Sequence, residues 1–333
     1  MKSVMSTDHG VCWDEKAVYR WAINFLPADD FRTSLLSGLA LLEASLVAKI
    51  ATMDKPLTLA DTFETLRPSI IAFASRIVSL PAGQRPLVPP IIGTGFFVDK
   101  RGIAVTNGHV IQALQKLPPI PGTGKPSAFA LVFTKILETS GKHRIRTLYA
   151  DIRGYKRLAK VETRGRNYAE QVPDFGFVTL NIRDVPAIPL ASVPNLLRPG
   201  LEVATAGFPL GNEPLQFYGT VNQLMPILRR GIVSSVLPFD CRFPHGFTID
   251  IMSQGGASGS PIFALDQPLA VGILHAGYKG TNFTYAIPSH IVAGGLPAAF
   301  NLDAFDTTGV PTLEEQTAIA DREEEGTFGF EQL

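Results

Sequence analysis

The chain has 333 residues, of which 45% are hydrophobic and 18% charged, and its 30 Lys and Arg balance its 30 Asp and Glu. That composition excludes wholesale disorder, and zero net charge without a basic stripe excludes nucleic acid as an expected partner. Two cysteines, Cys12 and Cys241, are too few for a disulfide framework and lean toward a reducing compartment.

In chain order, residues 1–65 are expected to form a helical N-terminal extension. The start, "MKSVMSTDHGVCWDEKAVYR", lacks an apolar signal core and carries early acidic residues, so the expected location is cytoplasmic. "DEKAVYRWAINFL" and "SLLSGLALLEASLVAKI" have helix formers at short apolar spacing, with "PADD" between them as a break and start signal. The second run is short for a membrane span and holds Glu43 and Lys49, so it reads as a buried helix, and no membrane association is expected.

After Leu66 the texture changes. Short β-branched and aromatic runs alternate with Gly/Pro-rich turns, among them "SIIAFASRIV", "GTGFFVD", "GIAVTN", "FALVFTKIL", "DFGFVTL", "EVATAGF", "GIVSSVL", "SPIFAL" and "LAVGILHAGY". Many short strands at this spacing predict a mainly β domain over 66–300, built as a sandwich or barrels. Residues 301–333, ending "TLEEQTAIADREEEGTFGFEQL", read as an acidic, flexible tail. Residues 1–65 and this tail are the segments left for a protein partner, regulation or self-association, among which composition does not choose.

Three residues stand in contexts that can carry chemistry. His109 lies in "AVTNGHV", where a strand is expected to give way to a loop. Asp174 heads the apolar strand "DFGFVTL", and Ser258 sits in the glycine-rich run "QGGASGSPIF". A serine hydroxyl is a weak nucleophile unless an imidazole takes its proton and a carboxylate orients that imidazole. A glycine-flanked serine can also offer backbone donors to a developing oxyanion, here from Gly256 and Ser258. An esterase elbow of the form G-x-S-x-G is not met, because "GASGS" ends in Ser260. "CRFPH", residues 241–245, supplies only half the donors of a zinc site, so neither a metal nor another cofactor is expected.

Taken together, these segments resemble a trypsin-like serine protease of the chymotrypsin fold, closest to HtrA-like and glutamyl-endopeptidase-like bacterial peptidases. "GTGFFVD…AVTNGHV" is similar to the HtrA pattern G-S-G-hydrophobic…V-T-N-x-H-V, and "DFGFVTL" to D-[IL]-A-[VL]. "ATAGFPLG", "RRGIVSSV", "TIDIMSQGGASGSPIF", "VGILHAG" and "FTYAIPSH" follow in the family's order. The resemblance covers about residues 67–299. It implies two six-stranded antiparallel β-barrels with a His109–Asp174–Ser258 triad between them and an oxyanion hole at Gly256 and Ser258. The implied activity is serine endopeptidase, acting on a peptide or protein through an acyl-enzyme. The alternative is a catalytically idle scaffold of the same fold that binds peptides or partners.

Departures from the family pattern set further expectations. Where secreted relatives carry Asp before the nucleophile this chain has Ala257, so activation through a freed N-terminus is excluded. Gly255 and Ala257 replace the usual Pro and Asn, which predicts a less rigid loop. His275 falls where trypsin relatives often carry Ser near the triad Asp, and can donate to Asp174 or to a substrate carbonyl. Met252, Ser253, Gly277 and Tyr278 should set side-chain specificity. Met252 in place of an acidic residue argues against Lys or Arg and favours an apolar, medium-sized side chain.

Overall fold

A computed structural model describes residues 57–76, 89–137, 141, 143–157, 173–192, 197–211, 224–238, 243–277 and 280–325. The helices expected within residues 1–56 lie outside the described residues. The end of the predicted extension is helical: α1 (Leu59–Leu66) starts at a capping box in which Thr58 Oγ1 accepts from the Asp61 N–H at 3.2 Å and Asp61 Oδ2 accepts from the Thr58 N–H at 3.0 Å.

Two closed six-stranded antiparallel barrels follow. The first is built from β1 (Ile70–Ser75), β2 (Ile91–Asp99), β3 (Ile103–Thr106), β4 (Ala128–Leu137), β5 (His143–Arg157) and β6 (Gly176–Leu180), with α2 (Gly108–Gln115) inserted after β3. The second comprises β7 (Glu202–Gly207), β8 (Ile227–Leu237), β9 (Gly246–Ile249), β10 (Pro261–Ala264), β11 (Ala270–Gly277) and β12 (Thr284–Pro288). Helix α3 (Ser289–Ala299) and helix α4 (Leu313–Glu325) complete the described chain. Among the described residues, no helix is long and apolar enough to cross a membrane.

The alternation of side chains along strands explains why the apolar runs look continuous. Every residue of β1 is buried, yet Ile70, Ala72 and Ala74 join one core cluster while Ile71 and Phe73 join another. The first cluster includes Phe96 and Phe177 of the first barrel together with Phe263 and Ile273 of the second, so one apolar body ties both barrels together. The other takes in Val110, Ile111 and Leu114 of α2, each side chain contributing about 1.5–3 kcal/mol by leaving water.

Two registers position the candidate site. In the β3–β6 ladder Ile103 pairs with Thr179 and Thr106 with Gly176, so the residues that leave β3 meet those that enter β6. In the β10–β11 ladder Pro261 pairs with Ile273, and Leu274 donates to the Ser260 carbonyl while Gly259 donates to the Leu274 carbonyl. That register sets Ser258 beside His275.

The acidic C-terminal stretch departs from the expected flexible tail. Residues 313–325 are helical, and α4 rests on the first barrel: Arg146 reaches Asp321 at 2.5 Å and the Ala320 carbonyl at 3.1 Å, and Gln316 donates to the Asn181 carbonyl at 2.7 Å. Leu313 and Ala320 pack against the second apolar cluster. Few apolar residues make this contact, which is why the segment reads as a solvated tail; residues 326–333 lie outside the described residues.

Candidate active site

His109 sits in the first turn of α2 rather than in a loop. Asn107, fully buried, is the N-cap residue, and its side-chain amide donates to the Asp174 carbonyl at 3.0 Å. The Gly108 N–H donates to the same carbonyl at 3.1 Å, and the His109 N–H donates to Asp174 Oδ1 at 2.9 Å. Two of the free N–H groups that open the helix are thus met by one aspartate, whose negative charge also suits the positive end of the helix. A Cβ on Gly108 would come within 2.6 Å of Asp174 Oδ1, so only glycine admits this approach.

The side chains complete the pairing. His109 Nδ1 lies 2.5 Å from Asp174 Oδ2, and His275 Nε2 lies 3.1 Å from the same oxygen. Partial burial pushes the Asp174 carboxyl up, but hydrogen bonds and charge from His109 and His275 outweigh it and hold the group well below the usual carboxylate range. The aspartate is therefore an anion shared by two imidazoles. Of the two partners foreseen for His275, the structure has Asp174.

Ser258 follows a tight turn. The Ala257 N–H donates to the Gln254 carbonyl at 3.1 Å across Gly255 and Gly256, and Gly256 has φ of 89°, a left-handed conformation that a side chain would disfavour. Four successive carbonyls are then anchored. Gly255 accepts from the Leu210 N–H at 2.6 Å, Gly256 from Thr94 Oγ1 at 2.7 Å, Ala257 from Ser260 Oγ at 2.6 Å, and Ser258 from the Thr94 N–H at 2.9 Å. Because a trans peptide holds its N–H opposite its C=O, anchoring the Gly255 and Ala257 carbonyls turns the Gly256 and Ser258 N–H groups to the other side. Among the described residues neither N–H has an acceptor.

The loop is accordingly tied down, against the lower rigidity expected from Gly255 and Ala257. Ala257 is 7% exposed and belongs to the apolar cluster of the second barrel, so packing anchors the position. The carbonyl contacts supply the rest.

Ser258 Oγ itself donates to the His275 carbonyl at 3.4 Å, a long bond, and among the described residues it makes no hydrogen bond to His109. The His109 and His275 rings lie 6.1 Å apart between centroids. The expected specificity residues are partly gathered. Ser253 and Gly277 are in close approach, since a Cβ on Gly277 would meet Ser253 Cβ at 2.8 Å. Met252 is exposed, and its carbonyl accepts from the Arg229 guanidinium, which also reaches Gln254 Oε1 at 3.4 Å. Tyr278 lies outside the described residues. Arg229 and Thr94 were visible in sequence only as strand residues, and their partners stand far along the chain.

The sequence profile of the trypsin-like peptidase domain matches residues 93–273, more than half of the chain and the whole interval holding His109, Asp174 and Ser258. The chain belongs to the trypsin-like peptidase family. His275 stands two residues beyond the matched segment. No curated protein sequence matches the chain. Among solved structures, Deg5 is similar at 20% identity over 70% of this chain and 90% of that one, with a TM-score of 0.41. The HtrA-type protease AlgW with a decapeptide is similar at 14% identity over 71% of this chain and 66% of that one, TM-score 0.45. AlgW with a tripeptide is similar at 15% identity over 74% and 65%, TM-score 0.45.

Proposed function

We propose that this member of the trypsin-like peptidase family is a serine endopeptidase that works through an acyl-enzyme. The observation that carries the reading is the His109 Nδ1–Asp174 Oδ2 contact at 2.5 Å beside a serine whose flanking carbonyls are all anchored. With Nδ1–H held by the carboxylate, His109 presents Nε2 as the proton acceptor. Ser258 Oγ exchanges its long bond to the His275 carbonyl for one to Nε2, gives up its proton and attacks the scissile carbonyl. The oxyanion that forms takes the Gly256 and Ser258 N–H groups, and the imidazolium beside Asp174 then returns its proton to the leaving amine. Hydrolysis of the acyl-enzyme repeats these steps with water as the nucleophile.

The exposed Met252 side chain supports an apolar residue on the acyl side of the scissile bond. A second reading, an idle peptide-binding scaffold, draws on one observation: the Ser258 hydroxyl engages the His275 carbonyl instead of His109. A fluorophosphonate probe separates the two. Wild type is expected to label at Ser258, and Ser258→Ala to lose labelling together with about 10⁴–10⁶ of peptide turnover. Equal labelling of wild type and Ser258→Ala, or none in either, selects the scaffold.

A further inference from the structure

One oxygen of Asp174 carries two imidazoles. Oδ2 lies 2.5 Å from His109 Nδ1 and 3.1 Å from His275 Nε2, while Oδ1 stays with the His109 N–H at 2.9 Å. The three donor atoms all lie within 4.8 Å of one another. All three side chains are partly exposed, at 47%, 24% and 36% for His109, Asp174 and His275.

We propose that His109, Asp174 and His275 form a zinc site through which the ion reversibly shuts off the peptidase. Two imidazole nitrogens and a carboxylate oxygen are a donor set that zinc takes at about 2.0–2.2 Å, with water as the fourth ligand in an open cleft. Such bond lengths put tetrahedral donors roughly 3.4 Å apart. His275 Nε2 and Asp174 Oδ2 already stand close to that spacing, and the His109 ring needs to withdraw by less than about 1 Å. The His109 N–H on Oδ1 holds the carboxylate in place, as an outer contact that orients a ligand does. Imidazole donors favour zinc over magnesium or calcium.

Inhibition follows from the two nitrogens of the ring. A neutral imidazole carries one proton, here on Nδ1 facing Asp174. Zinc bound through the Nδ1 lone pair moves that proton to Nε2, the atom that must accept the Ser258 proton, and no proton leaves the ring. His275 makes the opposite exchange, binding through Nε2 with its proton on Nδ1. While the ion is bound, His109 cannot act as a base. This regulation rests on the peptidase reading; zinc binding does not.

The test uses the full chain without a tag, as the Ser258→Ala variant, titrated with zinc in competition with a chromogenic chelator. One ion per chain is expected, unaffected by millimolar magnesium or calcium. His275→Ala and the gentler His275→Gln, each added to Ser258→Ala, should weaken binding by about tenfold or more. His245→Asn with His290→Asn should leave it unchanged, while in the catalytically intact chain zinc should block fluorophosphonate labelling and a chelator restore it. The site is overturned if zinc does not bind, if both His275 variants bind as tightly, or if binding disappears with His245 and His290. Binding that leaves labelling intact overturns the regulatory role. Zinc binding by Ser258→Ala with a catalytically intact chain that never labels sinks the peptidase reading and leaves the metal site standing.

Discussion

At the residue scale, the most exacting position in the candidate site is Thr94, which never touches the proposed nucleophile's hydroxyl. Its own hydroxyl is fully buried, donates to the Gly256 carbonyl at 2.7 Å and accepts from the Phe208 N–H at 3.0 Å. Its backbone N–H holds the Ser258 carbonyl. Thr94→Val keeps the shape but leaves one carbonyl and one N–H without a partner, which costs roughly 1–3 kcal/mol for each buried group. The Gly256–Ala257 peptide, which joins the two peptides that carry the proposed oxyanion donors, is then free to turn, and the relative aim of the Gly256 and Ser258 N–H groups is loosened. The expected result is a fall in kcat of about 10–10² with KM close to wild type, and recovery in Thr94→Ser, measured by steady-state hydrolysis of a peptide substrate. A fall in both variants alike would assign Thr94 to packing only. Thr94 stands in the quoted run "GTGFFVD", yet its partner is 162 residues away, and no local pattern encodes a bond of that separation.

At the scale of elements, what sequence could and could not carry divides along similar lines. Strands and the barrel class are legible because side-chain alternation and turn residues are local. His109, Asp174 and Ser258 stand out in sequence because each sits in a strand-and-turn context that the family repeats; the structure brings His109 and Asp174 into contact and sets Ser258 against the His275 carbonyl. Helix α2 was missed as a helix because Asn107 and Gly108 look like a turn; Asp174, brought in through the β3–β6 register, meets its first N–H groups. Helix α4 does not read as a docked element because polar contacts of Arg146 and Gln316 hold it, with only Leu313 and Ala320, among the described residues, on the apolar side. Arg146 has a side chain only 5% exposed, whereas Asp321 is 45% exposed. The two partners should therefore not be equivalent. Asp321→Ala takes one carboxylate away from a buried guanidinium and should lower stability by about 1–3 kcal/mol. Arg146→Met removes the buried charge and leaves a carboxylate that water can solvate, so it should cost less. Thermal unfolding of both variants checks the order, and an equal or reversed order would mean that the pair does not hold the helix.

At the scale of the whole molecule, one apolar cluster links both barrels, so the site between them depends on conditions that protect that shared core. Acid attacks it through His290, in the first turn of α3 next to the cluster members Ile291 and Val292. Burial, and then the nearby charge of His245, pushes the His290 imidazole down to about 4. In the unfolded chain the same group takes its proton near the ordinary histidine value of about 6.5. Between those two values the unfolded state binds more protons than the folded one, so stability rises with pH across the window and is lost as pH falls toward 4. The slope stays below the limit of about 1.4 kcal/mol per pH unit that linkage to one proton sets. Urea midpoints measured from pH 7 to pH 4.5 should therefore decline for the wild type. His290→Gln, which cannot charge, should flatten part of that decline while unfolding at a similar midpoint at pH 7. An unchanged pH slope in the variant would move the acid sensitivity elsewhere. A flattened slope would mean that the interbarrel core is best preserved above the range in which His290 takes up its proton.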